Sequence, residues 1–302
     1  MSVNYPLAQA PVLAESATAP PTLSEHVVRF IRTKPLGVIG ALVILLLTFV
    51  AIFAGWLAPY DPYLGDYGAQ FGRPSAEHWF GTDEFGRDVL SRIMYGARIA
   101  LFVGFTASFA GCTIGGLLGV ISAYAGGKVD LLLERFMDIL LAFPLLILAL
   151  AIASILGPAV HNVVVAVAIP IIPRAARIVR ATALSVKENV YVEAARSLGA
   201  ARHRVVLQHI VPNVVAPYII ILTAQLGSAI LTEAALSYLG LGVAEPTPSW
   251  GLMLSGSAPS YAEKAPWIAL FPGIAISVGV FGFNLFGDSL RDALDPKQRR
   301  KG

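Results

Sequence analysis

Six separate stretches of apolar residues, each close to twenty residues long, constrain what this chain can fold into. A helix of about 20 apolar residues is what crosses the roughly 30 Å hydrocarbon core of a bilayer. Backbone groups in lipid must bond within the protein, and these unbroken runs do not alternate as barrel strands do. The sequence therefore predicts an all-α membrane protein with six transmembrane helices, at Leu36–Leu57, Ile99–Ser122, Met137–Leu156, Val160–Arg180, Val214–Tyr238 and Trp267–Gly287.

The composition agrees with a membrane protein and limits the chemistry it can carry. Of the 302 residues, 56% are hydrophobic and only 14% are charged, whereas soluble domains are about a quarter charged. The single cysteine, Cys112, lies in an apolar span, which excludes a disulfide scaffold and a cysteine-based metal site. No catalytic residue, metal or cofactor is expected on this chain. Its net charge of +3 is small, and no nucleic-acid partner is expected.

The basic residues predict the topology. With the N-terminus inside, the segments on the inner side hold all but five of the 22 lysines and arginines. Inner loops of membrane proteins carry this excess of positive charge. Both termini, and the loop of residues 181–213 between the fourth and fifth spans, are therefore expected in the cytoplasm. The five basic residues left outside are Arg73, Arg87, Arg92, Arg98 and Lys264.

The longest outer segment runs from Ala58 to about Arg98, and its second half has the pattern of an interfacial helix. Val89, Leu90, Ile93, Met94 and Ala97 form an apolar stripe. Asp88 and Arg92, four residues apart, are expected to pair on the other side. This helix could be a docking surface for a periplasmic partner or a collar that orients the second span, and the sequence favours the collar.

Polar side chains inside the spans are candidates for the translocation pathway. A charged group at mid-membrane costs on the order of 2.5–3.5 kcal/mol, so it needs a partner or a water-filled cavity. Each could also be a satisfied structural group. These candidates are Asp138, Glu233 and Asn284. The second span carries a different pattern, a ladder of small residues from Ala107 through Gly111, Gly115 and Gly119, which is typical of close helix packing.

The loop of residues 181–213 is the most informative polar segment. Ser185 and Glu188 have the spacing of a capping box, which predicts a helix that ends at Gly199. Pro212 suits the first turn of the following span. Ala194 and Ala195 give the helix a narrow face that suits a groove on another protein, and the neighbouring Glu193 can accept a hydrogen bond there. An amphipathic hairpin lying on the membrane is the alternative interpretation.

Several separated motifs resemble the permease subunits of type I ABC importers, specifically the C-type subunit of the dipeptide, oligopeptide and nickel group. The resemblance extends from about residue 25 to 296. It is carried by Phe80–Arg98, the Glu-Ala-Ala and Gly of Glu193–Gly199, Leu236–Gly242, Pro246–Gly251 and Phe283–Pro296. One departure is that the usual Ile-x-Leu-Pro ending of the loop is His209-Ile210-Val211-Pro212.

The resemblance implies a function and a set of partners. It implies that the chain lies in the bacterial inner membrane and forms half of a channel with a B-type permease subunit, above two ABC ATPase subunits. It also implies that a periplasmic binding protein delivers the substrate. The coupling residues would be Glu193, Ala194, Ala195, Leu198, Gly199 and Pro212. ATP would be hydrolysed on the ATPase subunits, since Gly126-Gly127-Lys128-Val129 lacks the upstream glycine and the hydroxyl residue of a phosphate loop.

The expected organisation follows from these motifs. Residues 1–35 would be a cytoplasmic tail and amphipathic helix, and residues 36–97 the first span and periplasmic loop. Residues 98–290 would be the permease core with its coupling loop, and residues 291–302 a second cytoplasmic tail. Peptides are the expected substrates, with nickel and glutathione-like compounds as alternatives. A stand-alone secondary transporter and a membrane anchor for an enzyme complex are rival functions from other classes.

Overall fold

The computed structural model describes residues 30–256, 260–261 and 263–294. The expected tail and most of the amphipathic helix before the first span lie outside these residues, as do residues 295–302. The described chain is mostly helical, and ten α-helices that lie wholly within it are numbered in order. They are α1 (Pro35–Leu57), α2 (Val89–Ala125), α3 (Gly127–Leu141), α4 (Leu145–Leu156), α5 (Val160–Lys187), α6 (Val190–Ser197), α7 (Arg202–Val205), α8 (Val211–Tyr238), α9 (Trp250–Met253) and α10 (Trp267–Leu294). A π-helical turn, Val206–Ile210, joins α7 to α8, and a 3₁₀ turn, Tyr67–Ala69, lies in the outer segment.

Within the described residues, five helical segments are long and apolar enough to cross a membrane. They are α1, α2, α5, the continuous segment from α7 to α8, and α10. Helices α3 and α4 together make a sixth candidate, but they are bent by 89° at a short break. The expectation of one helix over Met137–Leu156 is therefore wrong. Pro144 explains the break, because proline disfavours helical conformation at the preceding residue and has no N–H to donate.

The other observed helices are longer than the spans predicted for them. Asp88 caps α2, accepting a hydrogen bond from the Ser91 N–H at 2.8 Å, so the expected interfacial helix and the second span are one helix. Helix α5 continues to Lys187, well past the predicted end at Arg180. Pro170 and Pro173 both lie inside α5, which runs through them although neither has an N–H to donate.

The glycine ladder of α2 lies against α5, as its spacing predicts. A Cβ atom added to Gly111 would lie 2.6 Å from the Ala168 carbonyl oxygen. A Cβ atom added to Gly115 or to Gly119 would overlap the carbonyl oxygen that lies one or two turns further along α5, respectively. These backbones touch directly, which gains dispersion contacts that lipid cannot supply. Helices α2 and α5 therefore form a rigid central pair.

The outer segment packs on the ends of the helices, which agrees with the collar interpretation. The Trp267 indole donates to the Thr82 carbonyl at 3.1 Å, and the Trp250 indole donates to the Ile93 carbonyl at 2.9 Å. Val89 and Ile268 are buried in the same apolar cluster as Trp267. The start of α2 is thus fixed to α9 and α10.

An ion network replaces the expected pair between Asp88 and Arg92. Asp88 pairs with His78 at 3.0 Å, while Arg92 is buried 3.6 Å from both Asp83 and Glu245. Arg87 bonds Asp83 at 2.7 Å and Glu245 at 2.9 Å. Burial alone lowers the pKa of Arg87, but the charges and hydrogen bonds of Asp83 and Glu245 outweigh that effect and raise it. Asp88 and Arg92, on the side opposite the predicted apolar stripe, are both buried.

Candidate functional site

The candidate coupling segment is a short helix with a defined end. Helix α6 covers Val190–Ser197, and Gly199 follows it with φ of +80°. The Gly199 N–H donates to the Arg196 carbonyl at 2.9 Å and the Ala200 N–H to the Ala195 carbonyl at 3.1 Å. This pair of bonds is a Schellman motif, in which glycine takes the left-handed position. The predicted helix end at Gly199 is confirmed.

The predicted start of this helix was wrong. Ser185 lies inside α5, and α6 begins after Asn189, whose side chain makes no capping hydrogen bond. The capping-box spacing of Ser185 and Glu188 is therefore coincidental. The apolar face of α5 continues through Val186 in the same cluster that receives α6, so packing decides the boundary here.

One face of α6 is anchored and the opposite face is exposed. Val192 is 0% exposed, in a cluster with Val179, Val205 and Ile210. Val190 is 81% exposed and Leu198 is 89% exposed. With 3.6 residues per turn, Val190, Ala194 and Leu198 lie on one stripe, opposite Val192. An apolar stripe held outward by a buried anchor is a surface suited to a partner.

The remaining predicted coupling residues lie around this stripe. Glu193 and Ala194 are exposed, and Ala195 is half-buried. No hydrogen bond or ion pair engages the Glu193 carboxylate among the described residues. Its carboxylate is therefore free to accept a hydrogen bond from another chain.

The second half of the loop leads directly into α8. Pro212 lies in the first turn of α8, as predicted, and is exposed. The π-helical turn precedes it, with the Val211 N–H donating to the Val206 carbonyl. Asn213 then joins the two halves of the loop, since its amide donates to the His209 carbonyl at 2.6 Å and to the Tyr191 hydroxyl at 3.3 Å. Helix α6 is therefore linked to the start of α8.

Asp138 has the partner that its position requires. Its carboxylate accepts a hydrogen bond from Arg177 of α5 and lies 3.8 Å from Arg135. The same face of α3 carries Asp130 and Glu134, which both pair with Arg180. Their four-residue spacing puts these three acids on one face of α3, where they meet basic residues of α5. The basic residues share a helical spacing that could have indicated this partnership, but the sequence alone does not bring the two helices together.

Glu233 is a buried group in α8. It is 0% exposed and accepts a hydrogen bond from Ser237 at 2.8 Å, while its second carboxylate oxygen has no hydrogen-bond partner among the described residues. Ser249, the N-cap of α9, lies beside it. Glu233 therefore belongs to the junction of α8 with α9.

Asn284 lies on α10 at an exposed position, and its side chain packs over Gly227 of α8. The three pathway candidates are thus on α3, α8 and α10. No hydrogen bond or ion pair joins any two of them in the described part of the chain. The structure does not assemble them into one site.

Sequence comparison assigns these helices to a family. Residues 115–300 match the model of the binding-protein-dependent transport system inner membrane component. The chain is a member of this permease family. Residues 22–74 of the permease also match the N-terminal TM domain of oligopeptide transport permease C, which agrees with a C-type subunit.

Relatives agree with this assignment over most of their length. The permease is 44% identical over 269 residues to the dipeptide transport system permease protein DppC of Alkalihalophilus pseudofirmus, covering 89% of this chain and 88% of that one. It is 45% identical over 271 residues to the glutathione transport system permease protein GsiD of Escherichia coli O6:K15:H31, covering 89% of each chain.

A solved structure shows the same fold. An inward-facing form of the MetNI methionine ABC transporter matches with a TM-score of 0.56 at 18% identity, covering 68% of this chain and 96% of that one. The permease is therefore a multi-span membrane protein and a transport component. Permeases of this family act with other permease, ATPase and binding-protein components.

Proposed function

We propose that this permease forms half of the channel of an ATP-driven importer of small peptides in the bacterial inner membrane. The observation that carries the proposal is the exposed stripe of Val190, Ala194 and Leu198, held outward by the buried Val192. Val190 and Leu198 are large apolar residues, and this degree of exposure calls for a covering surface, either lipid or another protein. A groove on an ATPase subunit would bury both.

The partners follow from the same proposal. A B-type permease subunit completes the channel, two ABC ATPase subunits bind on the cytoplasmic side, and a periplasmic binding protein delivers the substrate. Both termini and the loop of residues 181–213 then lie in the cytoplasm. ATP binding would move α6, and the link through Asn213 would pass this movement to α8. Such a device has two states that a ligand on another subunit selects.

The substrate class rests on the relatives. One is a dipeptide permease and another a glutathione permease, and glutathione is itself a small peptide. Both chains align with this one over nearly the same length. We therefore place small peptides first, with glutathione-like compounds and nickel complexes as the alternatives.

Reconstitution tests the proposal. The permease, its partner permease and two ATPase subunits are placed in liposomes with the binding protein, and uptake of a radiolabelled dipeptide and of radiolabelled glutathione is measured. Uptake that requires ATP hydrolysis and the binding protein supports the proposal. Uptake by this chain alone, without ATP, would show a secondary transporter and overturn it.

The coupling surface has its own test. Leu198→Asp places a charge at the outer end of the exposed stripe, and the ATPase subunits are expected to co-purify poorly with that variant. Leu64→Asp, the same substitution at an exposed position of the outer segment and outside the candidate spans, serves as the control for an added charge. Normal co-purification with Leu198→Asp would remove α6 as the docking helix.

A further inference from the structure

Tyr124, in the last turn of α2, lies between two cations of the coupling loop. The Lys187 ammonium is 5.9 Å from the centre of its ring, and the Arg196 guanidinium carbon is 5.5 Å from it. Both distances fall within the roughly 6 Å over which an aromatic face attracts a cation. Lys187 ends α5 and Arg196 belongs to α6, so one ring of α2 contacts both sides of the α5–α6 connection.

Lys187 also closes the end of α2. Its ammonium donates to the Ala123 carbonyl at 2.8 Å and to the Tyr124 carbonyl at 3.4 Å. The last carbonyls of a helix have no partner within it, and a cation there also suits the negative end of the helix dipole. The same side chain therefore ties the end of α5 to the end of α2, where the glycine ladder already holds the two helices together.

Arg196 gives α6 a second contact on the face that carries the buried Val192. Val192 fixes the position of α6 on the spans, and the Tyr191 hydroxyl, which accepts a hydrogen bond from Asn213, holds a different side of the helix. Arg196 is one turn further on, on the same face as Val192, and its contact with Tyr124 is therefore a second point on that face. Two points fix the rotation of a helix. The opposite stripe, with Val190 and Leu198, is thereby held outward.

We propose that Tyr124 is a positioning residue for coupling, which sets the orientation of α6 by holding Arg196 and Lys187 on its ring. A displacement of α6 by the ATPase would then move α2 and α5 with it, in addition to α8. This inference rests on the proposed function. It assigns to α2 a part in transmission that neither its sequence nor its length indicates.

The test compares three substitutions in the complete importer complex. Tyr124→Leu keeps an apolar side chain but removes the aromatic ring, while Tyr124→Phe keeps the ring and loses only the hydroxyl group. Arg196→Gln removes one of the two cations. The measured quantity is uptake per ATP hydrolysed, with whichever of the labelled dipeptide and labelled glutathione the wild-type complex imports.

We expect Tyr124→Leu and Arg196→Gln each to lower this ratio by about fivefold, the lower end of typical coupling energies. Tyr124→Phe should keep the wild-type ratio, and the double variant Tyr124→Leu with Arg196→Gln should lose no more than either single one. Amide exchange of residues 190–197 should rise in the leucine variant and not in the phenylalanine variant.

An unchanged ratio in Tyr124→Leu or in Arg196→Gln would overturn the inference, and so would additive losses in the double variant. If Tyr124→Leu does not insert into the membrane, Arg196→Gln and Tyr124→Phe still decide it. Failure of the proposed function looks different, because the wild-type chain would then not bind ATPase subunits or would transport without ATP.

Discussion

The guanidinium of Arg180 donates two hydrogen bonds to the Asp130 carboxylate, at 2.7 and 2.6 Å, and thereby joins α3 to α5. Helix α3 needs this bond, because Met137 is its one buried residue in the described structure. An apolar interface does not hold α3 in place, so charge pairs do. Helix α3 is therefore attached to α5 mainly by charge pairs, whereas α4 buries Ala149 and Ala153 in an apolar cluster with α5.

Replacing Arg180 should weaken that attachment. Arg180→Gln removes both bonds to Asp130 and the 3.5 Å contact with Glu134, and we expect it to lower the free energy of unfolding by about 1 kcal/mol, since the pair is bidentate but only partly buried. Unfolding in detergent, followed by circular dichroism, measures the change. Arg135→Gln is the control, because Arg135 is highly exposed and makes only a 3.8 Å contact. Equal stability of the two variants would contradict the role of Arg180.

The glycine ladder predicts a strong effect of volume. Gly111→Val should prevent α2 from approaching α5, because its Cβ would meet the Ala168 carbonyl at 2.6 Å and Ile171 at 2.9 Å. Overpacking of this kind typically costs about 1–3 kcal/mol. The thermal midpoint in detergent should fall. Gly273→Ala in α10, where an added Cβ meets nothing within 4 Å, should not lower it. A normal midpoint for Gly111→Val would argue against backbone contact.

Gly199 makes a prediction about backbone conformation alone. Nothing lies within 4 Å of an added Cβ, yet φ is +80°, so the cost of Gly199→Val comes from the left-handed conformation, about 1–2 kcal/mol. We expect faster amide exchange in α6 and a lower ratio of uptake to ATP hydrolysis, with membrane insertion intact. Gly199→Asn, which tolerates that conformation better, should lie between the valine variant and the wild type. Wild-type coupling by Gly199→Val would show that the helix end does not matter.

Asp83 should be the most sensitive residue of the outer segment. It bonds the Arg87 side chain at 2.7 Å and accepts hydrogen bonds from the N–H groups of Phe85 and Arg87, both at 2.9 Å. Asp83→Ala leaves a buried guanidinium short of a partner, so the stability of this segment should fall by about 2–3 kcal/mol. Limited proteolysis should therefore cleave the variant faster than the wild type between residues 58 and 88. Glu245→Gln, at a half-exposed position, should have a much smaller effect, and the opposite ranking would refute this account.

Apolar runs and small-residue spacing were enough to predict most of the fold. Both signals are local in the sequence. A run of about twenty apolar residues forms a membrane-spanning helix, and small residues at four-residue spacing form a close helix–helix contact. The signal for the break at Pro144 was also local. It was missed because the helix over Met137–Leu156 was predicted from the apolar character of the whole run, in which one proline counts for little. The start of α6 could not be predicted, since packing of Val186 and Val192 overrides the capping pattern of Ser185.

The candidate site divides in the same way. The helix end at Gly199 could be predicted, because the left-handed backbone conformation that ends a helix favours glycine. The contacts of Tyr124, Asp138 and Glu233 join residues far apart along the chain, and no spacing within one helix indicates them. Sequence reasoning placed Asp138 correctly as a group in need of a partner, but it could not name Arg177.

The right-angled break after Leu141 has a consequence for how water is kept out of the membrane. Helix α4 has 12 residues, so at 1.5 Å per residue it is about 18 Å tall, well short of a hydrocarbon layer roughly 30 Å thick. Helix α3 stands at 89° to it and cannot supply the missing height while α4 is upright. Helix α4 alone is therefore too short to cross the hydrocarbon layer, and the remaining depth at this place has to be covered by other helices or by a locally thinner bilayer.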